Sequence, residues 1–205
     1  MVILFLFQAC TSTHSLQGAK TIEPNTWEVA VGGSLQQNNP VSLSTKLPAP
    51  QMVFSTRYGW KQHLDVGTQL FLGGGSVDVR YQFAQVDDWY FAVAPTISGL
   101  YAGVYGNVSL QMPIRAQRAL NDKWSLTLGV TPTTQHFIVQ LDPFDETLVN
   151  SIVGNTIRLE RQGRKVRWGY TLDGQYIIGR GSPMGLSGGI DMSWVRQSKR
   201  QRNVQ

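Results

Sequence analysis

The chain has 205 residues, of which 41% are hydrophobic and 15% charged, and its formal net charge is +5. This length is enough for one domain with a sizeable core, but too short for two. No run of about 18 or more apolar residues occurs, which excludes a membrane-spanning helix. With 21 Gly, six Trp and no long helix-forming runs, the composition suits a turn-rich all-β protein.

The positive charge does not predict nucleic-acid binding. The basic residues are scattered, apart from a cluster at 161–167 and a group at 196–202. Neither a recognition helix nor a zinc-ligand spacing accompanies them. We therefore expect no nucleic-acid partner, and interpret the charge as favourable near lipid headgroups.

The first thirteen residues read MVILFLFQACTST, a short apolar run that ends in Ala9 and Cys10. Cys10 is the only cysteine, so it cannot form an internal disulfide. The run resembles the end of a bacterial lipoprotein signal peptide, which implies that Cys10 becomes the lipidated first residue of the mature protein. An ordinary secretory signal is the alternative. We predict residues 1–9 as the remnant of a signal peptide and 10–25 as a polar tether.

Beyond the tether, apolar and polar residues alternate with period two, as in half-buried strands. In one such run, Val77, Val79 and Tyr81 alternate with Asp78 and Arg80. Polar or Gly-bearing turns separate pairs of runs at 58–63, 84–88, 119–123 and 161–165. The pattern predicts an up-and-down antiparallel sheet.

The turns set the number of strands. One strand precedes them, four hairpins surround them and one strand follows, which gives ten if the weakest run, 156–161, is a strand. An even count places both chain ends on one side of a closed barrel, with longer loops such as 36–50 and 136–155 on the other. Eight strands is the alternative. We predict a transmembrane β-barrel over 26–196, followed by a basic tail at 197–205.

All six tryptophans fall at the short-turn end of the predicted strands. They are Trp27, Trp60, Trp89, Trp124, Trp168 and Trp194. Indole rings prefer the membrane–water interface, where the ring meets apolar chains and its N–H reaches water. The distribution predicts a membrane-interface girdle.

The opposite face of the same strands carries five basic and five acidic residues. They are Arg57, Asp65, Asp78, Arg80, Arg115, Arg158, Glu160, Arg167, Asp173 and Asp191. Unpaired charges of this number would be unfavourable in a dry core. In a narrow polar lumen they pair with one another and with water. We therefore predict a lumen plugged by ionic side chains.

The final strand has a polar residue, a glycine two positions later and two bulky residues at alternate positions. These are Ser187, Gly189, Met192 and Trp194. The arrangement resembles the terminal strand that the barrel-assembly machinery recognises. Over 26–194 the chain is similar to small bacterial outer-membrane β-barrel proteins. The resemblance implies a Gram-negative outer membrane, with its lipids and the assembly machinery as partners.

No catalytic, cofactor or metal site is predicted. The three histidines, His14, His63 and His136, share no ligand spacing. Gly185, Ser187 and Gly189 have the Gly-x-Ser-x-Gly spacing, but they fall within the final predicted strand and lack the strand–turn–helix context of a nucleophile elbow. A lipid-processing Ser/His pair would have to combine His136 with Ser151, or with the threonines at 133–134. The acidic residues at 142–146 are interpreted as a solvated loop, and 148–153 as one amphipathic helical turn on the rim.

The predicted role is therefore structural or interaction-based at the cell envelope. Three alternatives remain at this point. They are a narrow passive pore, a lipid-modifying barrel enzyme, and a soluble β-barrel lipoprotein that binds a small apolar ligand.

Overall fold

The computed structural model describes residues 18–38, 49–102, 105–141, 144–163, 166–177 and 183–197. These residues form the following strand segments: β1 (Thr26–Asn38), β2 (Ala49–Lys61), β3 (Leu64–Phe71), β4 (Gly74–Val86), β5 (Trp89–Val93), β6 (Thr96–Ala102), β7 (Tyr105–Gln111), β8 (Ile114–Ala119), β9 (Trp124–Leu141), β10 (Phe144–Gln162), β11 (Val166–Ile177) and β12 (Pro183–Gln197). Among the described residues, no helix is both long and apolar enough to cross a bilayer.

The segments close into a ten-strand antiparallel barrel. β5 and β6 are one strand interrupted at 94–95, and β7 and β8 are another interrupted at 112–113. The first and last strands pair along their length, from Thr26 opposite Gln197 to Asn38 opposite Gly185. The predicted up-and-down fold with ten strands is confirmed, and the alternative of eight is wrong.

Three prolines on adjacent strands explain the two interruptions. A proline has no N–H to donate to a neighbouring strand. Each proline carbonyl still accepts a hydrogen bond across the sheet: Val79 N to Pro95 O at 3.1 Å, Ala94 N to Pro113 O at 2.9 Å, and Met112 N to Pro132 O at 2.9 Å. The strand pairing is therefore interrupted at these prolines, but the register is the same on both sides and the wall stays continuous.

The two ends of the barrel are built differently. We call the end that carries the turns at 62–63, 87–88 and 120–123 the short-turn end. Two of these turns hold a residue in the left-handed region, His63 with φ 64° and Asp87 with φ 49°. At the opposite end Gly73, with φ 79°, completes a two-residue turn between β3 and β4.

In the region predicted as the longest loop, 136–155, the described residues on both sides of 142–143 lie in two paired strands instead. β9 continues to Leu141 and β10 starts at Phe144, with an unbroken register down to Arg161 opposite Trp124. The predictions of a loop and of a helical turn at 148–153 were wrong. Extended pairing satisfies the facing backbone groups of both strands, which one isolated helical turn would leave without partners. Residues 99–106 are likewise mostly strand, in β6 and β7.

Burial in this barrel is inside out. Within the described residues, 24 polar or charged residues are buried and only eight hydrophobic ones, while 28 large hydrophobic side chains are exposed. Among the described residues, the only buried apolar cluster is small and centres on Ala30 and Val53. The alternation of each strand therefore sends polar side chains into the lumen and apolar ones outward.

Candidate functional site in the barrel lumen

The charged residues predicted for the lumen all occupy inward strand positions. Nine are buried, and Arg167 is half-buried. They lie at mid-height or nearer the short-turn end, so the structure gathers them in one half of the lumen. There they form two separate ionic clusters and several smaller contacts.

The first cluster joins Arg57, Asp65, Asp78 and Arg80 across β2, β3 and β4. The Arg57 guanidinium donates to both aspartates. Arg80 Nη2 donates to Asp65 Oδ2 at 2.6 Å, and its Nε lies 3.2 Å from both Asp65 oxygens. Asp65, with no exposed surface, thus accepts from two arginines. Charge-assisted hydrogen bonds of this kind offset the cost of burying the ions.

The second cluster joins Arg158, Glu160 and Asp191. Arg158 binds Asp191 with both terminal nitrogens, at 2.5 and 2.8 Å. Its Nε donates to Glu160 Oε1 at 2.8 Å, and Nη1 also donates to Thr171 Oγ1 at 2.9 Å. The planar guanidinium therefore holds β10, β11 and β12 together.

A glycine lies beneath the guanidinium in each cluster. In register, Gly67 is between Arg57 and Asp78. A Cβ at Gly67 would lie 2.7 Å from both Arg57 Cζ and Asp78 Oδ1, and a Cβ at Gly169 would lie 2.5 Å from Arg158 Cζ. These glycines are needed for space, because the arginine must cross a whole strand to reach its partner.

The remaining lumen charges lie around these clusters. Arg167 Nη1 lies 3.3 Å from Glu28 Oε1, and Thr156 Oγ1 donates to Asp173 Oδ1 at 2.6 Å. Arg115 is buried on the inner face of β8. Glu28 was missed as a site residue, although its place between two outward residues of β1 was a usable signal.

Residues 18–25, which belong to the stretch predicted as a tether, run inside the mouth of the lumen. We call them the N-terminal segment. Four of its backbone N–H groups donate to the barrel wall: Lys20 N to Gln117 Oε1 at 2.8 Å, Thr21 N to Gln82 Oε1 at 3.2 Å, Ile22 N to Asp65 Oδ2 at 3.1 Å and Asn25 N to Gly59 O at 2.8 Å. Arg80 Nη1 donates to Gly18 O at 2.8 Å. Sequence reasoning missed this placement because the segment has neither an apolar repeat nor a charge run.

Two side chains connect the N-terminal segment to the ionic clusters. Asp65 belongs to the first cluster and accepts from Ile22 N. Gln117 accepts from Lys20 N, while its Nε2 donates to Glu160 Oε2 at 3.0 Å in the second cluster. The segment and both clusters are therefore one hydrogen-bonded assembly across the lumen.

A cavity of about 370 Å³ opens beside the N-terminal segment at the short-turn end. Its lining mixes both signs of charge, with Lys20, Lys123 and Arg167 facing Glu23 and Glu160. The inner face towards the opposite end differs, since its buried polar side chains are neutral amides and hydroxyls: Ser34, Gln51, Asn107, Ser109, Thr131, Thr133 and Gln135.

The six predicted girdle tryptophans all lie at the short-turn end, on the outside of the barrel. Trp89 and Trp124 are partly exposed and the other four are exposed. Trp27 packs against Tyr58 with ring centroids 4.8 Å apart. Three other rings have a cation above them: Lys61 over Trp60 at 5.6 Å, Arg118 over Trp89 at 5.6 Å and Arg161 over Trp124 at 5.7 Å. The exterior of this end is thus both aromatic and basic.

The residues considered for catalysis do not form a common site. His136 is exposed on the outer face of β9 opposite Val149, whereas Thr133 is buried towards the lumen. Ser151 is opposite Thr134, one outward position away from His136. Within the described residues no group of three or more His, Cys, Asp or Glu side chains could hold a metal ion. Cys10, His14 and Asp142 lie outside the described residues.

No protein-family model matches the chain, and no curated protein matches it. Among solved structures, the chain is similar to the N-terminal β-barrel domain of Pseudomonas aeruginosa OprF, with 11% identity, 84% of this chain and 98% of that chain covered, and a TM-score of 0.44. It is similar to Neisserial surface protein A, with 14% identity, coverage of 84% and 97%, and a TM-score of 0.43. It is also similar to Ail, the attachment invasion locus protein of Yersinia pestis, with 9% identity, coverage of 85% and 100%, and a TM-score of 0.43.

Proposed function

We propose that this protein is an integral β-barrel of a bacterial outer membrane with a structural or interaction role, and that its lumen is closed at the short-turn end. The inside-out burial carries the proposal. Large apolar side chains on strands around the barrel, such as Phe54, Leu110 and Ile190, are more than half exposed. A water-soluble protein rarely exposes so large an apolar surface, whereas lipid accommodates it.

The closed sheet supports a membrane position independently. In lipid every backbone polar group must find a partner within the protein, which only helices and closed barrels achieve. The pairing of β1 with β12 removes the free sheet edges. By the common orientation of bacterial barrels, the short-turn end faces the periplasm.

The N-terminal segment and the two ionic clusters support a closed lumen. Ala19 and Ile22 of the segment are buried, and the segment is bonded to β3, β4 and β8 around the wall. A solute entering from the short-turn end would have to displace this assembly. We therefore place the interaction role on the outside and rim of the barrel.

Ion conductance in a planar bilayer tests the closure. The wild-type chain should give no steady current steps. Gly59→Val should conduct, because a Cβ at Gly59 would lie 2.8 Å from the Glu23 carbonyl carbon and so would displace the N-terminal segment. Gly33→Val is the matched control, since the nearest atom to its Cβ would be Gln51 O at 3.9 Å.

Circular dichroism in detergent establishes that each variant retains its β-sheet content before the recording. Steady current steps from the wild type would contradict a closed lumen and would favour the narrow passive pore. A folded Gly59→Val that gives no current would show that the N-terminal segment does not close the lumen. Failure of the folded wild-type chain to enter lipid vesicles would contradict the membrane assignment as a whole.

A further inference from the structure

The exterior of the short-turn end carries basic side chains directly beside its tryptophans. Arg118 is the register partner of Trp89. Arg161 is the partner of Trp124 on one side and of Trp168 on the other. Lys61 follows Trp60 at the end of β2. All three basic residues are exposed, so their charged groups remain available to a ligand.

Charge at this end is arranged in layers along the barrel axis. The outward faces of the strands are apolar, for example at Phe83 and Ile114. The indole rings and the three cations come next, in the last residues of the strands. The acidic residues Asp87, Asp88 and Asp122 lie further out, in the turns. A cation layer between an apolar surface and water matches the height of lipid phosphates.

We infer that Lys61, Arg118 and Arg161 form a binding belt for the phosphates of anionic glycerophospholipids in the leaflet at the short-turn end. Each cation lies over an indole face, which holds its side chain against the barrel while its remaining N–H groups point to the headgroup. The inference rests on the proposed membrane position. It adds a lipid class and names the residues that select it.

Quenching of tryptophan fluorescence by brominated lipids tests the belt, because the girdle tryptophans lie beside it. The full chain is placed in phosphatidylcholine vesicles that contain dibrominated phosphatidylglycerol or, separately, dibrominated phosphatidylcholine at the same mole fraction. We expect the wild type to associate with the anionic lipid more strongly, by about fivefold per cation. The triple variant Lys61→Gln, Arg118→Gln, Arg161→Gln should lose this preference.

A matched control separates local binding from overall charge. Lys123→Gln removes one positive charge at the same end, but Lys123 lines the cavity beside the N-terminal segment. It should keep the wild-type preference, whereas Arg118→Gln should weaken it and Arg118→Lys should largely restore it.

Equal quenching of the wild type by both brominated lipids would overturn the belt while leaving the membrane position intact. An equal loss of preference in Lys123→Gln and Arg118→Gln would also overturn it. Displacement of the brominated phosphatidylglycerol by lipid A at a lower mole fraction would overturn the assignment to glycerophospholipid. No quenching by either lipid would instead contradict the proposed function.

Discussion

The two halves of the lumen accommodate their buried polar side chains by different chemistry. Towards the short-turn end, buried arginines and carboxylates satisfy one another, as Arg158 does with Glu160 and Asp191. Towards the opposite end the buried groups are neutral, and Ser34 Oγ, Gln51 Oε1 and Gln135 Oε1 have no hydrogen-bond partner among the described residues. One half is joined across strands by ion pairs, whereas the other has only neutral contacts such as the hydrogen bond between Ser98 Oγ and Ser109 Oγ at 2.5 Å.

This difference indicates which half of the lumen fixes the arrangement of its side chains more strictly. A buried charge that loses its partner is costly, so the ionic half tolerates few alternative arrangements. A neutral amide or hydroxyl loses much less when its surroundings change. We therefore expect substitutions to be costly in the ionic half and mild in the neutral half.

The largest effect is expected for Arg158→Met, which leaves Glu160 and Asp191 buried without their cation. The free energy of unfolding should fall by about 3–5 kcal/mol. Urea unfolding in detergent micelles, followed by tryptophan fluorescence, measures it. Gln135→Met, of similar length in the neutral half, should change the value by less than about 1 kcal/mol. Equal losses for both variants would remove the distinction between the halves.

A smaller loss is expected where the arginine crosses a glycine. Gly67→Ala places a Cβ within 2.7 Å of Arg57 Cζ and Asp78 Oδ1, so the ion pair must shift. We expect a destabilisation of about 1–3 kcal/mol in the same urea titration. Gly33→Ala, whose Cβ would have only an ordinary contact with Gln51 O at 3.9 Å, should cost nothing measurable. If Gly67→Ala has the wild-type free energy of unfolding, the Arg57 guanidinium does not need the space that Gly67 leaves.

The smallest effect concerns the attachment of the N-terminal segment. Gln117→Leu removes the acceptor of Lys20 N, a hydrogen bond whose net contribution is about 1 kcal/mol. Amide hydrogen exchange at Lys20 should therefore accelerate about fivefold. The amide N–H of Ile22, which donates to Asp65 Oδ2, serves as the internal reference, and its exchange rate should change less. Unchanged exchange at Lys20 would show that Gln117 does not hold the segment.

The fold was predictable because period-two alternation and turn residues act locally. The run around Asp78 and Arg80 shows both faces of a strand, and the turn residues separate the hairpins. The pattern failed at 136–155, where Leu148, Val149 and Ile152 also fit a helical spacing and only pairing with β9 decides the outcome. It did not foresee the interruptions at Pro95 and Pro113 either, because a proline alone does not decide the outcome: Pro132 lies within the uninterrupted β9.

The lumen was predictable as a set of residues but not as a set of contacts. Inward charges follow from alternation, whereas the partner of Arg57 two strands away follows from register and from the space at Gly67. The N-terminal segment was beyond prediction for another reason. Its bonds to Gln82 and Gln117 join residues 61 and 97 positions apart, which no local pattern encodes.

The central claim is that the apolar outer face meets lipid, and spin-label accessibility tests it most directly. Cys10→Ser gives a cysteine-free background, into which single cysteines are placed at Val79, Leu110, Leu128 and Tyr170, on four strands around the barrel. In phosphatidylcholine vesicles, labels at all four positions should collide with oxygen and be shielded from a water-soluble nickel complex, whereas a label in the turn at Asp87 should show the reverse. Nickel accessibility at the four outer positions equal to that at Asp87 would contradict the account.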